Sequence, residues 1–208
     1  MARQVHDVIE AINDQAALTG NEAPFEFLGF VAEEDDQTHL LEGRGPLLGS
    51  DDVMSTLPSG THYVIGIGTG SVRKKLSFVA ESAGLIPATL IHPKASIGKH
   101  GIHIGQGSII CSQVAITTDI HIGEHVILDL SVTVGHDAVL ENYVSIYPSS
   151  SISGNVVLGE GVTIGTGARV LQGLSVGSGS FVGAGSVVVK DVPELTTVVG
   201  IPGKAIQK

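Results

Sequence analysis

The sequence predicts a small α/β unit followed by a parallel β-helix, and three observations carry that prediction. From Ile104 every sixth residue is aliphatic as far as Val188, without an insertion. A second row, four residues after each of these and running from Ser108 to Val192, contains no charged residue. Ahead of this region, apolar segments of strand length alternate with stretches of helical periodicity, the pattern of a parallel sheet with crossover helices.

The α/β unit is expected over residues 1–90. Val5, Val8, Ile9 and Ile12 fall on one helical face, and Gly20 lies just beyond them, so the chain should open with an amphipathic helix. Residues 25–31 read as a strand closed by the acidic run Glu33-Glu34-Asp35-Asp36. Pro46-Leu-Leu-Gly49 should lead into a short helix near residues 51–57. Residues 63–67 form a second apolar strand, residues 71–83 a helix, and residues 87–91 a third strand. A doubly wound unit of this kind normally begins with a strand and a Gly-rich turn. Here the helix starts almost at Met1, so the first strand and its nucleotide loop are expected to be missing.

Two places in this unit are candidate acceptor sites. Gly66-Ile-Gly68-Thr-Gly70 lies where a strand turns into a helix, so its backbone could approach a ligand and the helix N-terminus could face a phosphate; a plain tight turn reads equally well. Ala32 and Glu33 lie at a strand C-terminus, where a carboxylate could accept a ribose hydroxyl, although four successive acidic residues also suit a solvated loop.

His92-Pro93 ends the α/β pattern, because the residue before a proline is driven to extended geometry. Period six is too long for an alternating strand and matches no heptad. It fits a triangular coil of three hexads, with equivalent residues on successive coils about 4.8 Å apart. The β-helix is expected over residues 91–208. Glycine follows the aliphatic residue in Gly105, Gly123, Gly135, Gly159, Gly165, Gly177 and Gly183, where positive φ is expected at the corners. The same 18-residue step places Gly154 directly beside His136 on the next coil.

Composition excludes several roles. The net charge is −10, and no basic stripe interrupts it, so nucleic acid is not an expected partner. A single cysteine, Cys111, leaves no intrachain disulfide and fits a reducing compartment, and its thiol is expected to be inert. No apolar run of about 18 residues or signal peptide is visible, so a cytoplasmic protein without membrane insertion is expected. His103 and His121 should stack, but the next position in their row is Val139, so no metal site is expected.

The run Val134-Gly-His-Asp137, followed by Ile152-Ser-Gly-Asn155, Ile164-Gly-Thr-Gly167, Val182-Gly-Ala-Gly-Ser186 and Val199-Gly-Ile-Pro-Gly203, resembles the hexapeptide-repeat acyltransferases. With Leu28-Gly-Phe-Val31, Arg73-Lys74-Lys75 and Ile91-His-Pro93 it resembles specifically the bacterial sialic-acid O-acetyltransferases and UDP-aminosugar N-acetyltransferases of NeuD/PglD type. The resemblance implies a left-handed β-helix, a Rossmann-like sugar-nucleotide-binding unit, a homotrimer and acetyl-CoA as co-substrate, bound between neighbouring β-helices. The implied reaction is acetyl transfer to an amino-sugar, UDP-linked and modified at a 4-amino group, or to a sialic-acid hydroxyl. A trimeric sugar-nucleotide scaffold without turnover is the reading from another class.

In the family the histidine is the general base. His136 would take that part, with Asp137 orienting its ring, while the Gly154 N–H would donate to the developing oxyanion. Resemblance also puts Gly154, Thr166 and Ala184 on the acetyl-CoA path. Some members carry a second histidine near the cofactor where this chain has Ser145. The family's Gly-Gly-His-type loop would fall just before Ala2. From the repeat alone, His136 is a corner residue facing solvent.

Overall fold

In a computed structural model, residues 1–33 and 38–206 are described. Helix α1 spans Ala2–Leu18 and buries Val5, Val8 and Ile9. These residues pack on Leu90, Ile109 and Ile127, with Phe25 and Phe27 closing the cluster. The helix ends where Gly20 takes φ +77° and its N–H bonds to the Ala17 carbonyl.

The strands of the α/β unit are shorter than expected. The first is only β1 (Phe30–Val31), because Gly29 at φ +149° breaks the extension and Phe27 turns in to meet Phe30 edge-on at 4.9 Å. It pairs in parallel with β2 (Leu47–Gly49), a strand the sequence reading took only as the approach to a helix. That helix is one 3₁₀ segment, Asp51–Thr56. The expected strand over residues 63–67 is laddered only as β3 (His62–Tyr63). After helix α2 (Gly70–Ser82), β3 pairs with β4 (Ile86–Pro87). The described residues thus form two separate two-stranded pairs where one sheet was expected. The expected third strand is also divided, since β5 (Leu90–Ile91) already pairs with Ile109–Ile110 of the prism.

The β-helix has three parallel faces. The first stacks Ile102–Ile104, Ile120–Ile122, Val139–Leu140, Val157–Leu158 and Ser175–Val176. The second runs from β5 through Ile109–Ile110, Ile127–Leu128, Ser145–Ile146, Thr163–Ile164 and Phe181–Val182 to the closing hairpin Thr197–Val199 and Lys204–Ile206. The third stacks Ser96–Ile97 through Val187–Val188. Registers such as Leu128↔Ile146 and Val134↔Ile152 advance by the expected coil. Anchors from Ile110 to Val188 are buried, and so are the small members of the second row. Buried hydroxyls there are satisfied across coils: Ser108 Oγ donates to the Gly123 carbonyl at 2.9 Å and Ser150 Oγ to that of Gly165 at 2.8 Å.

The corners overturn one expectation. The glycines that follow the anchors do not have positive φ. A β-carbon there would stand 2.4–2.8 Å from the next coil, so close stacking excludes a side chain. Positive φ falls two residues later, at Gln113, Asp119, His125, Ser131, Asp137, Tyr143, Ser149 and Asn155 in turn, then at Gly161 and Gly167. Each left-handed corner is secured by its own N–H bonding to the preceding coil, as from Asp119 to the His100 carbonyl at 3.0 Å.

Candidate active site

His136 and Asp137 turn the corner between the third and first faces, after strand Thr133–Val134. The corner is held from both sides, the Asp137 N–H bonding to the Thr118 carbonyl at 3.2 Å and the Asn155 N–H to that of His136 at 2.7 Å. Left-handed φ at Asp137 swings its carboxylate back to the imidazole, with Oδ2 2.7 Å from His136 Nδ1. Asp137 therefore fixes the tautomer protonated at Nδ1 and leaves Nε2 a lone pair. Both side chains are more than half exposed, at 52 % and 61 %.

Gly154 is buried on the adjacent coil, against the imidazole. A β-carbon there would lie 2.5 Å from His136 Nε2 and 2.6 Å from Cε1. The Gly154 carbonyl accepts from the Gly173 N–H, whereas its own N–H has no acceptor among the described residues. A free proton acceptor and a free backbone donor thus sit together, the minimum that acyl transfer needs.

Thr166 and Ala184 are exposed on successive coils at the corner between the second and third faces, tied by the bond from the Gly185 N–H to the Thr166 carbonyl at 2.8 Å. Within one chain they are separated from His136 by the whole third face.

Ser145 is corrected. It lies on the second face, fully buried, with Oγ donating to the Gly68 carbonyl at 2.7 Å, so it is sealed beneath the α/β unit and lines no cofactor path.

The glycine loop is half-buried, and each of its glycines stands at a close approach. A β-carbon on Gly66 would lie 3.0 Å from Ala2 Cα, and one on Gly70 would lie 2.6 Å from the Tyr143 carbonyl; one on Gly68 would collide with the Tyr147 hydroxyl. Gly66 thus lets the loop approach helix α1 within the α/β unit, while Gly68 and Gly70 let it approach the prism at Tyr147 and Tyr143. Ala32 is held by a bond from its N–H to the Gly49 carbonyl at 2.9 Å, and Glu33 is exposed. The rest of the acidic run, Glu34 to Asp36, lies outside the described residues.

Arg73 was quoted from sequence only as part of a basic triplet, yet it secures this seam. Only 1 % exposed, it donates from Nε to the His125 carbonyl, from Nη1 to those of Ile67 and Gly68, and from Nη2 to those of Tyr143 and Val144. Burial lowers its pKa to about 10, which still leaves it charged at neutral pH. Cys111 lies under α1, where Gln4 Nε2 bridges its Sγ and Asp129 Oδ1; burial, with the Asp129 charge, pushes the thiol up to about 12. His103 and His121 stack at 4.7 Å, with Val139 next in their row.

The family described as Bacterial transferase hexapeptide (six repeats) matches residues 137–172. A search of curated proteins finds no match. Among solved structures, the acetyltransferase domain of PglB from Neisseria gonorrhoeae is 30 % identical over 95 % of this chain and 94 % of its own, with a TM-score of 0.77. A histidine-to-asparagine variant of perosamine N-acetyltransferase from Caulobacter crescentus, in complex with CoA and GDP-perosamine, is 28 % identical over 98 % and 93 %, with a TM-score of 0.81. WeeI from Acinetobacter baumannii is 28 % identical over 96 % and 93 %, with a TM-score of 0.82. The chain belongs to the hexapeptide-repeat sugar acetyltransferases, built as an α/β unit on a left-handed parallel β-helix.

Proposed function

We propose that this protein transfers acetyl from acetyl-CoA to the amino group of a nucleotide-linked amino-sugar. The observation that carries the reading is the dyad: His136 Nδ1 is held by Asp137 while Nε2 lies against Gly154, and among the described residues neither Nε2 nor the Gly154 N–H has a hydrogen-bond partner. His136 removes a proton from the acceptor nitrogen as that nitrogen bonds to the thioester carbonyl carbon. The Gly154 N–H receives the negative charge that gathers on the carbonyl oxygen, and the proton held by His136 passes to the departing CoA thiolate. Nitrogen as the acceptor atom is favoured over the sialic-acid hydroxyl because the perosamine relative is named as an N-acetyltransferase.

Residues 1–90 hold the nucleotide of the acceptor and residues 91–208 supply the acyl-transfer site. The α/β unit covers the second face, and His136 stands on the corner opposite that face. A homotrimer resolves this separation, since a neighbouring copy can bring its α/β unit and its Thr166 and Ala184 corner to the His136 corner. Among the described residues no helix is long and apolar enough to cross a membrane, in keeping with a cytoplasmic enzyme working on soluble nucleotide sugars.

The test is CoA release, followed with a thiol reagent, from acetyl-CoA and a panel of UDP-, GDP- and dTDP-linked 4-amino-sugars, with native mass measured in parallel. Release with an amino-sugar but not with its hydroxyl analogue, from a trimer, is expected. No release with any acceptor would leave the scaffold reading in its place.

A further inference from the structure

Helix α1 carries a cluster of metal-ligating side chains at His6, Asp7 and Glu10. His6 and Glu10 are four residues apart and Asp7 and Glu10 three, spacings that make helical side chains neighbours. One ligand atom from each of the three lies within 4.8 Å of the other two. His6 sets the cluster apart from a solvated acidic patch. It is only 7 % exposed, with Phe27 edge-on to its ring at 4.5 Å and Phe30 tilted against it at 5.8 Å. Its Nδ1 is buried without a hydrogen-bond partner among the described residues and faces Glu10 Oε2, 3.6 Å away. That separation is too long for a hydrogen bond, and a buried polar atom left unpaired costs free energy. Two ligands of one tetrahedral zinc ion, by contrast, stand about 3.3 Å apart, since each lies about 2.0–2.2 Å from the metal.

We infer that His6, Asp7 and Glu10 bind one divalent transition-metal ion of the zinc class. One imidazole nitrogen with two carboxylates suits such an ion, whereas magnesium and calcium take oxygen ligands throughout. His6 supplies Nδ1 from a ring fixed by its packing, and the exposed side chains of Asp7 and Glu10 close the remaining distance by rotation, leaving a fourth position to water. Arg44 holds the place of the ion, because its Nη1 pairs with Asp7 Oδ1 while also donating to the Arg3 carbonyl. Both partners of that pair reach solvent, with side chains 35 % and 55 % exposed, so the pair contributes little and yields to the metal. Binding stabilises α1 and, through the His6 ring, the packing of Phe27 and Phe30 on it. The three ligands share no residue with the transfer site, so the ion is read by binding and stability and not by turnover.

In the experiment the untagged full chain is stripped with a chelator, dialysed free of it, and titrated with zinc chloride alone in a calorimeter, with a thermal melt beside it. One ion per chain is expected, with a melting temperature that rises as zinc is added. Magnesium chloride over the same concentrations should give neither heat nor stabilisation. Asp7 and Glu10 are exposed, so Asp7→Asn and Glu10→Gln keep the fold, and each should weaken zinc by at least about 10-fold. Arg44→Gln, which removes the competing cation, should bind zinc about threefold more tightly. His6→Gln should abolish binding; because His6 is packed, Glu10→Gln is the variant that decides. No zinc binding by the wild type would overturn the site. Wild-type affinity in Glu10→Gln would overturn it too, since the ion would then sit on other histidines, such as the stacked pair His103 and His121.

Discussion

His136 Nε2 occupies the space that a β-carbon on residue 154 would need, at 2.5 Å from its ideal position. The φ of Gly154 lies outside the left-handed region, so alanine there strains the imidazole and not the backbone. Gly154→Ala should therefore lower kcat/KM by about 10²-fold or more while the melting temperature stays close to wild type. Steady-state kinetics beside a thermal melt checks this, and full activity would show that the ring does not work from this position.

Arg73→Met should loosen the seam between the α/β unit and the prism. Five backbone carbonyls lose a charged donor at a buried site, a loss on the order of 3 kcal/mol. Urea unfolding measures the loss, and Cys111 supplies a local reporter. Its thiol is fully buried under α1, so it should react faster with 4,4′-dithiodipyridine in the variant.

His125 gives the seam an acid limit. Its ring stacks on Tyr143 at 5.5 Å and on Tyr63 at 6.1 Å, with Nδ1 buried and unpartnered among the described residues. Burial lowers its pKa, and the nearby Glu81, which also bonds the Tyr63 hydroxyl, opposes this only in part. A lowered folded-state value means that the unfolded chain takes up the proton first. The neutral ring's contribution is therefore complete above the ordinary histidine range and is lost as pH falls below about 6.5. The melting temperature should drop between pH 7.5 and 5.5 in the wild type, and by less in His125→Gln; equal slopes would contradict the assignment.

The two classes of glycine at the corners should behave differently on substitution. A β-carbon on Gly165 would lie 2.6 Å from the Ala184 backbone nitrogen, whereas one on Gly167 would meet open space but carry φ +68°. Gly167→Ala should cost about 1–2 kcal/mol of backbone strain, and Gly165→Ala should cost more because two coils must part. Chemical denaturation of the two variants ranks them directly.

The prism was legible because a hexad period writes the same demand many times. Each anchor from Ile110 to Val188 is buried, and the coil step that aligned Gly154 with His136 is the step the backbone bonds keep. The glycine class was misread because a tight approach between coils and a left-handed φ both select glycine, and one sequence does not separate them. The eight successive non-glycine corners with positive φ had no signal of their own. In the α/β unit the short strands hid Leu47–Gly49, and the close approaches of Gly66 to Ala2 and of Gly68 to Tyr147 had no signal distinct from that of a ligand loop. Ser145 was placed by analogy with a histidine that this chain lacks, and the hydroxyl is turned to Gly68. Arg73 stood in the sequence as one of three successive cations, and only the tertiary structure separates the buried one from its two exposed neighbours.

The central claim is that His136, oriented by Asp137, is the base for acetyl transfer, and His136→Ala tests it most directly. Acetyl-CoA binding, followed by calorimetry, and native mass should match wild type, while CoA release with the amino-sugar acceptor falls by at least about 10²-fold. Turnover at the wild-type rate in a variant that still binds acetyl-CoA would contradict the account.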